Sequence, residues 1–371
     1  AEWQRRERQG ESLLEQKDYW KKEFAGEVPV LELPFDYARP VVQSFEGKSI
    51  PFEMNKETFG AFKTMALEAG ATLYIVLLAL YTVLLSKLSS QEDIVIGSPV
   101  AGRRHADLEK IIGMFVNTLA LRNYPLGEKK FSYFLEEVKE KTLKTFENQD
   151  YQYEDLVEEL AIIRDAGRNP LFDAFLVLQN AGKGVIEIPG LKIKPYELEN
   201  LTAKFDLSLS VMEAEDKLLL EFEYSTKLFK KETVERFISY FENIVRGVIK
   251  NKEQKISDYE IIAEEEKKRI LFNFNDTAAE YPVDKTIHQL FEEQASRTPD
   301  HIAVVGTAAV ETLRATSLQT TYRQLNEQAD RLAGLLIEKG VLADNIVGIM
   351  MERSIEMVIG ILGILKSGGA Y

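Results

Sequence analysis

The feature that most constrains the fold is one segment, Ala71–Leu88, whose residues are apolar almost all the way round a helix. Thr72, Thr82 and Ser86 interrupt it and Lys87 lies near its end, whereas a membrane-spanning helix needs about 20 apolar residues. The segment is therefore too short and too mixed to cross a membrane. A helix that is apolar on every face is typically buried in a globular core, and we expect this one to pack against a β-sheet.

Segments with the spacing of strands and of amphipathic helices surround this buried helix. The predicted strands are Gly47–Met54, Ile94–Ile96, part of Ile111–Arg122, Phe172–Leu178, Leu191–Glu197, Phe205–Glu213 and Lys217–Tyr224. The predicted helices are Glu11–Phe24, Asn55–Ala69, Ser132–Glu147, Asp155–Leu160 and Lys231–Ile249. This alternation of helices and strands predicts an α/β fold.

The composition excludes several classes of function. The chain has 46 basic and 60 acidic residues, a formal charge of −14, which disfavours binding to nucleic acid or to an anionic membrane. It has no cysteine, so a disulfide, a thiolate zinc site and a cysteine nucleophile are ruled out. The three histidines, His105, His288 and His301, are too scattered to predict a metal site. The absence of cysteine fits a reducing compartment, and we expect a cytoplasmic protein.

The domain organisation follows from a change of composition after residue 249. Residues 250–285 are rich in Lys, Glu, Asn and Asp and predict a linker between a first domain, residues 1–249, and a second, residues 286–371. The first residues are charged and polar, without the apolar stretch of a signal peptide. The last residues, LKSGGAY, lead from an apolar helix into a Gly-Gly turn. From both ends we expect a fragment of a longer protein.

One polar side chain interrupts an apolar row in the segment IIGMFVNTLALR, residues 111–122. Read as a strand, the segment places on one face Phe115, Asn117, Leu119 and Leu121. A buried amide without hydrogen-bond partners costs about 1–3 kcal/mol, so Asn117 needs partners. Two interpretations stay open: the amide holds nearby backbone, or it faces a polar cavity or a ligand.

Four segments together resemble the condensation domain of nonribosomal peptide synthetases. They are GSPVAGRRHADLEKIIGMFVNT from Gly97, NQDYQYEDLV from Asn148, RDAGRNPLFD from Arg164 and KFDLSLSVME from Lys204. The last part of the chain is similar to the start of an adenylation domain of the acyl-adenylate-forming superfamily, in TYRQLNEQA and LKSGGAY. The stretch Gly306–Gln319 is longer than the short hairpin that this superfamily has there.

The resemblance implies a two-lobed fold like that of chloramphenicol acetyltransferase, with the active tunnel between the lobes. This chain would supply the C-terminal lobe, followed by a truncated acyl-adenylate-forming α/β domain. The implied reaction joins two carrier-bound aminoacyl groups by a peptide bond, next to ATP-dependent adenylation of an amino acid. The family's catalytic motif, His-His-x-x-x-Asp-Gly, is missing, because no two histidines are adjacent. No catalytic residue is therefore assigned, and we expect the fragment alone to be inactive.

The same resemblance implies cofactors and partners. Upstream and downstream peptidyl carrier domains of the synthetase would carry phosphopantetheine, and a complete adenylation domain would use ATP and Mg. The residues that bind ATP would lie beyond Tyr371, so the fragment alone would bind no cofactor. Lys366 would be a solvated lysine at a helix end and not the catalytic lysine.

The resemblance also suggests roles for polar residues. Ser98 and Asn117 would line the substrate and pantetheine tunnel, where a hydroxyl or an amide can bind the pantetheine arm or an oxyanion. A structural interpretation of both residues stays open. Arg103 and Arg104 would either meet a pantetheine phosphate or solvate a loop.

Five further residues are predicted to be polar residues with a structural role. Four of them would form a turn that satisfies its own hydrogen bonds: Arg164, Asp165, Arg168 and Asn169. Asp206, polar within an apolar strand, would be buried and salt-bridged.

Two other functions remain. The first is an epimerisation domain of the same fold, against which VNTLALR and the adenylation sequence argue. The second is a non-catalytic platform between carrier domains.

Overall fold

A computed structural model of the chain describes residues 11–103, 106–108, 111–161, 165–179, 201–307 and 317–371. The chain divides into two units, Ala1–Asn275 and Asp276–Tyr371. Several sequence predictions lie outside the described residues, namely those for Leu191–Glu197, Arg104, His105 and Arg164.

The first unit is organised around one six-stranded mixed sheet. Its strands are β1 (Gly47–Met54), β2 (Ile94–Val100), β3 (Asn117–Asn123), β4 (Ala174–Gln179), β5 (Leu207–Ala214) and β6 (Lys217–Ser225). Their order across the sheet is β1-β6-β5-β4-β2-β3. Strands β2, β4 and β5 run parallel to one another, and the remaining neighbours are antiparallel.

The helices of the first unit follow the predicted ones to within a few residues, with one addition. They are α1 (Glu11–Glu23), α2 (Lys56–Glu68), α3 (Leu73–Ser89), α4 (Phe131–Glu147), α5 (Tyr153–Glu159), α6 (Lys231–Lys250) and α7 (Glu264–Lys268). The sequence does not predict α7, which is short and continues into a π-helical turn, Arg269–Asn273. The α/β fold predicted from the alternation of elements is confirmed.

Helix α3 is the predicted buried helix and lies at the centre of the core. Every residue from Ile75 to Ser86 is buried. The hydroxyl of Thr72 caps its first turn by accepting the Ile75 amide at 3.3 Å. In its middle, Tyr81 donates its hydroxyl to the carbonyl of Leu207 on β5 at 2.9 Å, so the polar atom of a fully buried ring has a partner. The helix therefore packs against the sheet, as predicted.

Strand β3 is shorter than the predicted segment Ile111–Arg122. It begins at Asn117, which pairs with Val100 at the end of β2, so residues 111–116 pair with no strand in the described part of the chain. Without a neighbouring strand to bond to, this stretch is not extended into the sheet. Its side chains at Ile112 and Met114 are exposed.

Residues 250–285, the predicted linker, fall into two parts that pack differently. In the first part, Ile256 and Tyr259 are buried in the main core. Lys255 also forms a β-bridge with Lys130, at the start of α4. In the second part, α7 and the π-helical turn have no buried residue. Apolar burial therefore offsets the entropy of ordering the first part along the lobe, and the second part lacks this compensation.

The second unit contains three helices and a two-stranded hairpin among its described residues. They are α8 (Ile287–Arg297), β7 (Ile302–Thr307), β8 (Ser317–Thr321), α9 (Tyr322–Glu338) and α10 (Ile355–Lys366). Helices α8 and α9 each begin with a capping box, at Thr286 and Thr321. After α10, Ala370 forms a parallel bridge with Ile346.

The prediction that Lys366 is a solvated lysine is wrong. Its side chain is only 4% exposed. The ammonium donates to Glu292 at 2.7 Å, to Asn326 at 2.9 Å and to Asp330 at 2.5 Å. All three N–H bonds of Nζ are thereby used, and Lys366 ties α10 to α8 and α9.

No single helix of the described residues is both long enough and apolar enough to cross a membrane. Within the described part of the chain, α2 and α3 are long and apolar enough only when taken together, and the two are bent by 105°.

Candidate functional site

Asn117 is the polar residue at the contact between the first two motifs, those that begin at Gly97 and Asn148. Its Nδ2 donates to the carbonyl oxygens of Gln149 and Tyr151, both at 2.8 Å. Its Oδ1 accepts the backbone amides of Thr118 at 2.9 Å and Tyr153 at 3.2 Å. Every hydrogen-bonding position of the buried carboxamide is therefore occupied by backbone. Asn117 holds the segment NQDYQYED against the start of β3.

Ser98 lies near the end of β2 and is also buried. Its hydroxyl donates to the carbonyl of Leu176 on β4 at 2.8 Å. In this geometry neither Ser98 nor Asn117 has an N–H or O–H left for an oxyanion or for the pantetheine arm, and the hydroxyl of Ser98 can only accept. Contact of either side chain with a ligand stays a prediction.

The NPLFD segment packs against the other motifs through aromatic rings. The hydroxyl of Tyr153 donates to the carbonyl of Pro170, and the rings of Tyr153 and Phe172 are 5.3 Å apart. The ring of Phe172 is 5.6 Å from that of Phe205. Phe172 also occupies the space next to Gly97 on β2, where a Cβ would overlap its ring. A glycine is therefore needed at position 97.

The turn that carries Phe172 has a strained backbone. Leu171 has a φ of +69°, a conformation that residues with a side chain rarely adopt. The amide of Phe172 donates back to the carbonyl of Pro170 at 2.9 Å, which closes a γ-turn. Leu171 is buried, so the packing of its surroundings maintains this conformation.

Two buried carboxylates, Asp173 and Asp206, lie side by side near the other end of β2. Each directly precedes a parallel strand, and β4 and β5 are in register with Ala174 opposite Leu207. The amide of Asp206 donates to the carbonyl of Asp173 at 2.9 Å. Both residues are only 3% exposed. The register of the sheet therefore places two like charges next to each other.

Two arginines pair with these carboxylates, but unevenly. Arg39 uses both Nη atoms on the two oxygens of Asp206, which gives Asp206 a buried ion pair. Arg168 donates through Nη1 alone, to Oδ2 of Asp173 at 2.8 Å and to the carbonyl of Leu31 at 3.1 Å. The second oxygen of Asp173, Oδ1, is buried and has no hydrogen-bond donor among the described residues.

The uneven pairing appears in the pKa values. Burial, followed by the neighbouring charge of Asp206, raises the pKa of Asp173 to about 7 against the opposing attraction of Arg168 and Arg39. Burial also raises the pKa of Asp206, although its hydrogen bonds from Arg39 act in the opposite direction. The two carboxyls interact and so titrate as a pair. Asp173 is the partner with fewer hydrogen bonds and is the one we expect to be neutral below pH 7.

The turn at residues 165–169 is not closed on itself, contrary to the sequence prediction. Asp165 stays within the turn and accepts the amide of Gly167 at 2.8 Å. Asn169 instead donates to the carbonyl of Lys204 at 2.9 Å, and Arg168 reaches Asp173. A buried carboxylate is a stronger partner for a guanidinium than the carbonyls of the turn. The turn therefore joins the RNPL motif to the KFDLS motif.

Arg103 stabilises the loop that precedes β3. It donates through Nη1 to the carbonyl of Ile111 at 2.8 Å and also to that of Leu108. Its guanidinium lies 4.3 Å from the centre of the Phe115 ring. These contacts correspond to the loop-binding interpretation of Arg103, and contact with a phosphate stays a prediction.

Sequence reasoning misses three charged residues of this region: Arg39, Asp173 and Arg122. Arg122 is buried and pairs with Asp93 at 2.7 Å. A signal for Asp173 exists, because FDAFLVL repeats the pattern of FDLSLSV, in which Asp206 is polar before an apolar strand. No local signal exists for Arg39, since 167 residues separate it from its partner.

The solved structures that share this fold define its class. The four-domain nonribosomal peptide synthetase holo-AB3403, bound to AMP and glycine, matches with a TM-score of 0.72 at 25% identity, over 98% of this chain and 28% of that one. The X-domain from teicoplanin biosynthesis matches with a TM-score of 0.63 at 24% identity, over 70% of this chain and 61% of that one. The fold is thus that of a condensation domain, similar to chloramphenicol acetyltransferase, followed by the start of an adenylation domain.

The sequence comparisons give the family. The model of the condensation domain matches residues 1–271, and that of AMP-binding enzymes matches residues 291–371. Over its whole length the chain is 49% identical to bacitracin synthase 3 of Bacillus licheniformis and 48% identical to gramicidin S synthase 2 of Brevibacillus brevis. It spans 6% and 8% of the lengths of these two relatives. The chain belongs to the condensation-domain family and is part of a nonribosomal peptide synthetase module.

Proposed function

We propose that this chain supplies the C-terminal lobe of a condensation domain, and the beginning of an adenylation domain, to a synthetase that joins amino acids. The observation that carries the proposal is the packing of the four motifs into one framework. Asn117 binds the second motif, Tyr153 and Phe172 connect the second to the third, and Asn169 binds the fourth through Lys204.

In the proposed reaction, the amine of one carrier-bound aminoacyl group attacks the thioester carbonyl of another. The C–N bond forms and the C–S bond breaks. The thiol of the donor arm leaves with the proton that the amine nitrogen loses. The chain has no adjacent histidines, so we infer that the group that accepts this proton comes from another part of the synthetase.

The residues of this chain position the substrates and do not exchange protons with them. Asn117 and Ser98 are buried and bonded to backbone, so they fix the ends of β2 and β3. A rigid wall of this kind holds two reacting groups in a constant geometry, which lowers the entropic cost of the reaction.

The proposed partners are the carrier domains on either side, each with a phosphopantetheine arm. ATP and Mg would supply the activated aminoacyl adenylate once the adenylation domain is complete. We infer that the ATP-binding residues lie in other parts of the synthetase, because the motifs expected to hold the phosphates are not in residues 286–371. Within this part, Lys366 is engaged with three side chains of its own domain.

The test compares the intact synthetase with the isolated chain. With both carrier domains loaded, the intact enzyme should form a dipeptidyl thioester, detected by mass spectrometry of the carrier domain. The isolated chain should show neither this product nor amino-acid-dependent pyrophosphate exchange. Exchange above background by the isolated chain would contradict the assignment. In the intact enzyme, an inverted but unextended donor would favour epimerisation, and no reaction at all would favour a non-catalytic platform.

We also propose the domain boundaries 1–249, 250–285 and 286–371. Limited proteolysis tests them, because residues 263–285 have almost no buried side chain to protect them. A stable fragment that ends between Lys250 and Glu280 is expected. Primary cleavage between Leu73 and Val177 would contradict the assignment of the first lobe.

A further inference from the structure

Three features indicate that the turn Arg168–Asp173 can adopt two conformations. Its backbone is strained at Leu171. Its last residue, Asp173, is a buried carboxyl with an oxygen that lacks a donor among the described residues. Beside it lies a cavity of about 180 Å³ whose lining includes Arg168, Leu171, Phe172 and Asp173 itself. The turn therefore stores strain, carries a titratable group and has space into which it can relax.

The turn is connected to the candidate tunnel residue Ser98 through one packing contact. Phe172 fills the space above Gly97, so a movement of its ring changes the contact with β2 directly. The next residue along β2 is Ser98, whose side chain points to the opposite face of the sheet and donates to the carbonyl of Leu176 on β4, so a displacement at Gly97 reaches it through the backbone of β2. A packed contact of this kind transmits a displacement because the interior has little free volume elsewhere.

We propose that the turn Arg168–Asp173 is a pH-responsive clamp that holds Phe172 against Gly97, and so fixes Ser98, while Asp173 is neutral. When Asp173 ionises, the turn loosens into the cavity and the position of Ser98 is less well defined. Asp173 touches no reacting atom and is a positioning residue. The part of the proposal that concerns catalysis rests on the proposed function, in which Ser98 lies beside the substrate tunnel.

The charged and titratable groups around Asp173 come from several elements. They are Arg168 and Asp165 in the turn, Arg39 in the loop before β1, Asp93 before β2 in the lining of the same cavity, Asp206 before β5 and Tyr153 on α5. The two arginines favour the ionised carboxyl, whereas burial and Asp206 disfavour it and outweigh them. Tyr153 is itself held neutral, since burial raises its pKa far above the neutral range.

The sign of the effect follows from the raised pKa. Asp173 ionises at about 7 in the clamped state, compared with its ordinary value of 3.8 when the turn is open to solvent. Between these two values, closing the clamp takes up a proton, so closure weakens as the pH rises towards 7. Above 7 both states are ionised and the dependence ends.

Hydrogen exchange of the purified chain at pH 6 and pH 8 tests the clamp, after correction for the chemical exchange rate. Protection of peptides covering residues 94–100 and 168–179 should fall about tenfold between these values, as expected for one proton that is taken up on closure only below about pH 7. Asp173→Asn should abolish the change. Asp165→Asn, which neutralises an exposed carboxylate in the same turn, should behave like the wild type.

The wild-type measurement has an internal reference in helix α6, which is far along the chain from the turn and has no part in the clamp. An equal fall of protection in α6 and in the turn would overturn the proposal, even if Asp173→Asn failed to fold. Persistence of the pH dependence in a folded Asp173→Asn chain would also overturn it.

In the intact synthetase, the clamp predicts a change in the pH profile of peptide-bond formation. Wild-type turnover should decline as the pH rises towards 7 and level off above it, a change that Asp173→Asn lacks and Asp165→Asn keeps, while amino-acid adenylation is the same in all three. Identical profiles in all three enzymes would contradict the catalytic part of the proposal. A wild-type enzyme that forms no peptide bond would instead contradict the proposed function, and hydrogen exchange would still decide whether the clamp exists.

Discussion

The two ends of strand β2 show two different ways of burying a polar side chain. At the carboxyl end, Asn117 lies opposite Val100, and all four hydrogen-bonding positions of its amide are filled by backbone. Near the amino end, Asp173 is equally buried, but one carboxylate oxygen has no donor within the described ranges. The site of Asn117 is neutral and all of its hydrogen bonds are made, whereas the site of Asp173 contains charged groups and lacks one hydrogen-bond donor among the described residues.

The difference between these sites separates a fixed contact from an adjustable one. A carboxamide does not change its charge near neutral pH, so the contribution of Asn117 to stability does not depend on pH there. A buried carboxyl with too few donors changes its free energy whenever it gains or loses a proton. The motifs that identify the family therefore serve one framework, of which one end is rigid and the other depends on pH.

Removing the carboxylate of Asp206, which forms the stronger ion pair of the charged site, should have the largest effect on stability. Asp206→Ala leaves Arg39 buried without its carboxylate and should cost about 3–5 kcal/mol of unfolding free energy. Denaturant unfolding followed by tryptophan fluorescence measures this, because Trp20 is buried in the core of the first unit. The control Asp165→Ala removes an exposed carboxylate nearby and should cost less than about 1 kcal/mol. Equal losses for the two variants would show that Asp206 is not in a buried ion pair.

The pH dependence of stability should sharpen the comparison next. The pKa of Asp173 is raised from 3.8 to about 7 in the folded state. Folding therefore takes up a proton between these values, and this group stabilises the first unit at low pH and loses that contribution as the pH rises to 7. The slope is at most about 1.4 kcal/mol per pH unit for one proton. Asp173→Asn should remove this part of the slope, whereas Asp165→Asn, which neutralises an exposed carboxylate in the neighbouring turn, should leave it in place.

A smaller effect is expected midway between the two sites. Gly97→Ala places a methyl group where the ring of Phe172 lies, and overpacking of this kind costs about 1–3 kcal/mol. Thermal unfolding of the chain measures the loss. The double variant Gly97→Ala with Phe172→Leu should recover part of it, because the smaller side chain leaves room for the methyl group. Additive losses in the double variant would show that the two residues are not in contact.

The sequence predicts the elements of the first unit better than its polar contacts. Periodicity is a local property, so α3, α6 and the hairpin β5–β6 can be located from the apolar pattern alone. The start of β3 cannot, because it depends on where β2 ends, and residues 111–116 have a strand-like pattern without a partner strand. The prediction for Lys366 is wrong for the same reason, because its three partners lie on two other helices.

The candidate site also has some features that the sequence predicts and others that it does not. The sequence predicts that Asn117 needs partners and that Asp206 is buried, because a polar residue in an apolar row is visible locally. It does not predict Arg39 as the partner of Asp206 or the adjacency of Asp173. Both depend on the parallel register of β4 and β5, which no single segment encodes. It predicts that the 165–169 turn bonds to itself, because Lys204, the acceptor for Asn169, is 35 residues away and the burial of Asp173, the acceptor for Arg168, depends on the sheet.

The most direct test of this account is Asn117→Ala in the intact synthetase. The amide of Asn117 holds the segment NQDYQYED against β3 by hydrogen bonds. Its loss therefore leaves two carbonyls and two backbone amides without a partner. We predict a loss of about 3 kcal/mol or more in the stability of the condensation domain. Amino-acid adenylation should stay near wild type, and peptide-bond formation should fall only together with the stability of the condensation domain, because the amide holds the wall of the site and does not contact the substrate. Unchanged stability together with a large fall in peptide-bond formation would show that the amide contacts the substrate and would contradict the account.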